Sequence, residues 1–242
     1  MRIALDHTSE IGVRAGRLLL GEPGLELLGI VRRSVKDNDA RLKRVSNVSG
    51  FDAVVTDDPD STIFAEAAAA LTPCVLWADT PPPADEAGES PVLLGANLTT
   101  GIGRSLAKRE SARAGSGAEV LFAWTEPGNP LRSGEPVSFP EPVGARWGSR
   151  RALTNRRLEV AAPVDDEWAG VLVRTTTDTA SRTLGIADLA THLEAIALAA
   201  GAVATATGSV SAGFHQPEAL AGEYLDAALR IGLDIATFTS LE

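Results

Sequence analysis

The sequence predicts an α/β protein with an N-terminal parallel sheet and a second, α+β domain built on a mostly antiparallel sheet. Three patterns carry this. Short continuous apolar runs alternate with amphipathic stretches over residues 2–78, strand-like runs follow one another without helices over 118–177, and a long alanine-rich segment occupies 186–208. The first pattern is that of strands covered on both faces and joined by helical crossovers, and the second is that of antiparallel strands.

Each element has its own signal. RIAL at 2–5 is a strand, and Ile11 to Leu20 carry apolar residues at helical spacing up to the punctuation GEPG at 21–24. LELLGIV at 25–31, FDAVV at 51–55 and PCVLWA at 73–78 are further buried strands, with a helix, TIFAEAAAAL, at 62–71. DTPPPADEAGESP at 79–91 is an exposed loop, VLLG at 92–95 a short strand, and 98–115 a helix that Thr99 or Thr100 can cap. AEVLFAW (118–124), PVSFP (136–140), LEVAAPV (158–164) and AGVLVRTTT (169–177) are the strands of the second domain, on which the helix 186–208 is expected to pack. A helix at 221–231 and an apolar stretch, LDIATF, at 233–238 end the chain. The expected division is residues 1–97 for the first domain, 98–211 for the second, and a return of 212–242 to the first.

Composition narrows the function. The 242 residues carry a formal charge of -10, which opposes a phosphate backbone, so nucleic acid is not an expected partner. No run approaches a membrane span, the first residues lack the apolar core of a signal peptide, and the reading is of a cytoplasmic protein. Cys74 is the single cysteine, inside an apolar strand, and is read as buried and unreactive. No histidine pair has metal-ligand spacing, no Gly-x-Ser-x-Gly elbow is present, and no lysine follows a glycine-rich turn. Metal, hydrolase and kinase readings fall away.

The turn after the first strand, DHTSEIG, raises the central question. A Rossmann-like dinucleotide unit places glycines there, for the tight turn, for approach of the pyrophosphate and for helix packing. Here Asp6 and Ser9 stand at the first two positions and only Gly12, the packing glycine, is kept. Asp6 opposes a phosphate, whereas the hydroxyls of Thr8 and Ser9 and the backbone amides of Ser9, Glu10, Ile11 and Gly12 can address one. After the second strand, where the ribose-reading group usually lies, stand Arg32, Arg33 and Ser34. Arginines there suit a 2′-phosphate, so the expected cofactor is NADP rather than NAD. The contrary reading makes this turn a mere holder of strand to helix and the arginines a solvated edge.

TDDP at 56–59, WADTP at 77–81 and GANLTTGIG at 95–103, in this order of elements and this length, resemble the dihydrodipicolinate reductase family, and more broadly two-domain NAD(P)-dependent oxidoreductases. The resemblance implies that the loops holding Asp57 and Thr80 border the nicotinamide, and that Asn97 lies at the hinge near cofactor and substrate. It also implies a homo-oligomer, a dimer or tetramer, assembled through the second domain. Two departures stand out. The glycine-rich loop is mostly lost, and the family's histidine-rich catalytic stretch with its lysine and Gly-Thr turn has no counterpart; Trp124, Glu126, Asn129 and Arg132 stand there instead.

Arg132, in the turn-rich PGNPLRSG, is a candidate carboxylate clamp, and His215, in a loop ahead of a helix, is a better candidate for proton handling than the mid-helix His192. Together these readings predict an NADP-dependent oxidoreductase of a small carbonyl, imine or amino-acid-like substrate, with His215, Arg132 and Asn97 on the catalytic side. The alternative is a non-catalytic or repurposed Rossmann-like protein that has lost dinucleotide binding.

Overall fold

A computed structural model describes residues 1–31, 38–58, 61–81, 89–125, 137–138, 145–146, 149–152, 158–159, 167–208 and 210–241. The chain forms two compact units, one of residues 1–102 and 194–232, the other of 103–193 and 233–242.

The first unit is built on a seven-stranded parallel sheet. Its strands are β1 (Arg2–Asp6), β2 (Leu27–Val31), β3 (Leu42–Val45), β4 (Ala53–Thr56), β5 (Cys74–Leu76), β6 (Pro91–Leu93) and, from far along the chain, β14 (Gly213–His215). Their spatial order is β14-β6-β5-β4-β1-β2-β3. The order reverses between β1 and β4, and in open sheets of this kind ligands bind outside the carboxyl ends of the strands at that reversal. Ile3, Ala4 and Leu5 of β1 and Ala53, Val54 and Val55 of β4 are fully buried, as continuous apolar strands covered on both faces must be. Helix α1 (Glu10–Leu20) connects β1 to β2, and α2 (Ile63–Ala69) connects β4 to β5.

Several expectations are corrected here. A strand not expected from the sequence, β3, carries the exposed Lys43 and Arg44 between half-buried Leu42 and Val45 at the sheet edge. Residues 98–115 split into a π-helix, Leu98–Gly103, and helix α3 (Arg104–Ala114), whose start has no side-chain cap. Residues 186–189 belong to a strand, so the long helix α4 begins later, at Ala190, and runs to Thr207. From Glu194 onward it belongs to the first unit and packs on the first sheet. A Cβ on Gly201 would lie 2.9 Å from Val75 and 3.0 Å from Ala96, so the small residues of α4 let its backbone come close to β5 and the chain after β6. A 3₁₀ turn, Pro217–Leu220, and helix α5 (Ala221–Ile231) complete this unit.

The second unit carries a six-stranded sheet ordered β11-β10-β7-β12-β13-β15, with every neighbouring pair antiparallel. These strands are β7 (Glu119–Thr125), β10 (Ser149–Ala152), β11 (Leu158–Glu159), β12 (Trp168–Thr176), β13 (Ala180–Leu189) and β15 (Ala236–Leu241). A separate two-stranded pair joins β8 (Val137–Ser138) to β9 (Ala145–Arg146). The expected return of 233–238 to the first sheet is corrected: β15 pairs antiparallel with β13, Phe238 opposite Thr183. Leu106 and Ala107 of α3 are buried with Val120, Phe122, Val171 and Val173 of the sheet. Glu110 of α3 is also buried, and its charge is met by Arg182 at 3.3 Å and Arg113 at 3.6 Å.

Candidate functional site

The point of strand reversal is also where the chemistry gathers. The chain leaves β1 at Asp6, turns through His7 and Thr8, and enters α1 with Ser9 in extended backbone at φ -118° as its N-cap. The Ser9 Oγ accepts from the amide of Ile11 at 3.1 Å, satisfying one of the donors that a helix start leaves open. Asp57, the residue after β4, reaches across to this turn. Its Oδ1 accepts from the Thr8 amide at 2.7 Å and the Thr8 hydroxyl at 3.2 Å. Its Oδ2 accepts from the Ser9 amide at 3.0 Å, the Ser9 hydroxyl at 2.6 Å and the Gly12 amide at 3.1 Å.

A carboxylate thus occupies the position at a helix N-terminus where an anion is favoured by the helix dipole and by free amides. Burial alone would raise the Asp57 pKa; the hydrogen bonds from Ser9 and Thr8 outweigh it and hold the carboxyl below its ordinary 3.8. Gly12 is the residue that lets this happen, since a Cβ there would lie 2.6 Å from Asp57 Oδ2 and would collide with the His7 side chain. The third glycine of the dinucleotide pattern is therefore kept for the approach of an internal carboxylate. Asp6, also buried, accepts a hydrogen bond from the Ser61 hydroxyl just ahead of α2.

A second cluster lies where the chain leaves β5 and β6. The Asn97 amide nitrogen donates to the Trp77 carbonyl at 3.1 Å and to Asp79 Oδ1 at 2.7 Å, and its oxygen accepts from the Thr100 amide at 2.8 Å. The Thr100 hydroxyl closes the ring by donating to Asp79 Oδ2 at 2.9 Å. Gly95, at φ +71°, adopts a backbone that other residues rarely take, and a Cβ there would lie 2.5 Å from Asp79 Oδ1. Glu194 of α4 braces the same region, accepting from the Trp77 indole at 2.7 Å and the Leu98 amide at 3.0 Å. The π-helix begins here, with the Ile102 amide 3.2 Å from the Asn97 carbonyl. The Tyr224 hydroxyl donates to the Ala197 carbonyl at 2.8 Å, and its burial pushes its pKa well up.

Thr8, Ser9, Gly12 and Asp57 are thus brought together, and Asn97 joins a network of its own. Glu10 is exposed and paired with Arg14 at 3.1 Å, Ile11 contributes its amide to Ser9, and Thr80 is exposed. His215, at the end of β14, directs Nε2 to the Ser211 carbonyl at 2.9 Å, with the Ser211 hydroxyl at 3.2 Å. Arg32, Arg33, Ser34 and Arg132 lie outside the described residues. Sequence reading missed Ser61, Asp79, Thr100, Trp77 and Glu194. The TDDP and GANLTTGIG stretches flagged the loops, but nothing in them showed which side chains meet. No group of three or more potential metal-ligating side chains occurs among the described residues, and no described helix is long and apolar enough to cross a membrane.

No family model matches this sequence, and no curated protein is detectably similar to it. Solved structures are. The dipicolinate-bound dihydrodipicolinate reductase of Paenisporosarcina sp. TG-14 superposes with a TM-score of 0.55 at 10% identity, over 89% of this chain and 97% of that one. An engineered D-amino acid dehydrogenase gives 0.52 at 15% identity, over 90% and 93% of the two chains. A mutant meso-DAP dehydrogenase from Clostridium tetani E88, with DAP, gives 0.52 at 13%, over 93% and 95%. What persists at such identities is architecture. The chain has the two-domain α/β fold shared by dihydrodipicolinate reductase and the meso-DAP and D-amino acid dehydrogenases.

Proposed function

We propose that the chain is an oxidoreductase that uses a nicotinamide dinucleotide, NADP in preference to NAD, on a small carbonyl, imine or amino-acid-like substrate. The observation that carries this reading is the converging set of donors at the start of α1. The amides of Thr8, Ser9 and Gly12 and two hydroxyls converge as an anion-holding turn at the strand reversal, filled here by the carboxylate of Asp57, although two of the three glycines are gone. The shared fold with a reductase and two dehydrogenases supports it, as do Arg32 and Arg33 in the sequence, placed to suit a 2′-phosphate. In this reading Asn97 fixes the loop after β5, its amide already committed to Trp77, Asp79 and Thr100, while Arg132 and His215 address substrate charge.

The turn in this conformation does not fit a pyrophosphate. Its donors are taken by Asp57, and an entering phosphate would meet the charge of Asp57. That observation favours a second reading, a repurposed Rossmann-like protein that keeps the frame without the dinucleotide. Titration with NADPH and NADH, followed by nicotinamide fluorescence, separates the two. The oxidoreductase reading expects NADPH to bind, and to bind about tenfold or more weakly in the Arg32→Ala/Arg33→Ala double variant. Failure of both nucleotides to bind at physiological concentrations removes the oxidoreductase reading and leaves the second. A homo-oligomer is part of the same proposal, supported by β15, an edge strand whose Phe238 is 60% exposed.

A further inference from the structure

We infer that Asp57 is an internal occupant of the pyrophosphate position, a specificity-determining residue that a dinucleotide must displace. The inference rests on the oxidoreductase reading only for the identity of the displaced group; the occupancy itself is geometric. Three backbone amides and two hydroxyls, contributed by Thr8, Ser9 and Gly12, converge on two carboxylate oxygens at 2.6–3.2 Å. A phosphate oxygen seeks the same donors at the same distances. Gly12, which dinucleotide folds keep for close approach, here clears space for Asp57 Oδ2, as the 2.6 Å clash of an added Cβ shows.

The occupant is also tethered. Asp57 follows β4, whose register against β1 places Thr56 opposite Asp6, so the carboxylate is held at the turn by the sheet itself. A tethered anion competes at high effective concentration with any free one. The shut turn is therefore set by one side chain, and removing that side chain leaves a cradle of unpartnered donors.

Inorganic pyrophosphate tests this without relying on any enzymatic activity. Thermal unfolding of the full chain is measured for wild type, Asp57→Ala and Asp57→Asn, with and without pyrophosphate at matched ionic strength. Asp57→Ala is expected to melt lower than wild type and to be raised by pyrophosphate, with wild type unmoved. Asp57→Asn removes the charge with little change of shape, and is expected to bind pyrophosphate if the alanine variant fails to fold. If neither variant responds to pyrophosphate, the inference is overturned.

NADPH titration of the same proteins then distinguishes the two proposals. Binding by wild type that tightens about tenfold or more in the variants upholds both. Binding by the variants alone upholds the occupant and removes the oxidoreductase reading of the natural chain. Binding by wild type that is unchanged in variants insensitive to pyrophosphate upholds the oxidoreductase and overturns the occupant.

Discussion

Asp57 links the turn's chemistry to the protein's stability. Its carboxyl titrates below 3.8 in the folded chain, so the ionised form favours folding. That contribution is fully present above 3.8 and is lost as pH falls through the lower folded value. The wild-type melting temperature is therefore expected to fall more steeply on acidification than that of Asp57→Asn, whose amide does not titrate; parallel curves would contradict this. Gly12→Ala makes the same point sterically. Its Cβ would press on Asp57 and His7, and overpacking of this kind costs about 1–3 kcal/mol, to be read from denaturant unfolding. At this scale the sequence was partly legible. DHTSEIG identified the turn and its missing glycines, but the partner of its amides lies 45 residues or more away, at Asp57, and no local pattern records such a meeting. Cys74 was legible throughout. It is buried in β5, its thiol pushed up to about 12 by burial.

Among the elements, α2 carries a local conflict between backbone and side chain. It ends in a motif whose Leu71 amide donates to the Ala68 carbonyl at 3.1 Å and whose Thr72 amide donates to Ala67 at 2.9 Å. That geometry needs a left-handed residue at the first position past the cap, and Leu71 supplies it at φ +53° with its side chain 65% exposed. Glycine normally stands there because a Cβ is strained. Leu71→Gly is expected to stabilise the protein by about 1 kcal/mol, raising the melting temperature by a few degrees; a lowered value would mean that the exposed side chain makes a compensating contact. Strands β1, β2, β4, β5 and β6 of the first sheet were readable because each is a continuous apolar run, whereas β3, with Lys43 and Arg44 at its centre, was not. β13 was not, because Ala180–Leu189 mixes polar and apolar residues and runs directly into the alanine-rich α4, so its last four residues read as helix. β14 is only three residues long and has no periodicity to show.

For the molecule as a whole, the free edge at β15 makes its own prediction. Sedimentation or light scattering is expected to give a mass that is a multiple of 25.2 kDa, and Phe238→Lys to lower it, since a charge on an edge strand blocks pairing between copies. A monomeric wild type would remove this assembly. The fold was legible as two layers of different texture, but not its ending, because LDIATF suits a parallel or an antiparallel strand equally well and only its pairing with β13 decides.

The chain passes between its two units three times, after residues 102, 193 and 232. Neither unit is a single stretch of sequence, and the first lacks α4, α5 and the edge strand β14 until residue 232 has been made. On the ribosome, the N-terminal 102 residues must therefore wait, with the part of the sheet that α4 covers still open, through the synthesis of nearly the entire remaining chain. A truncation at residue 102 would leave that waiting state permanent, and the cell would meet it as a client for chaperones rather than as a small folded domain.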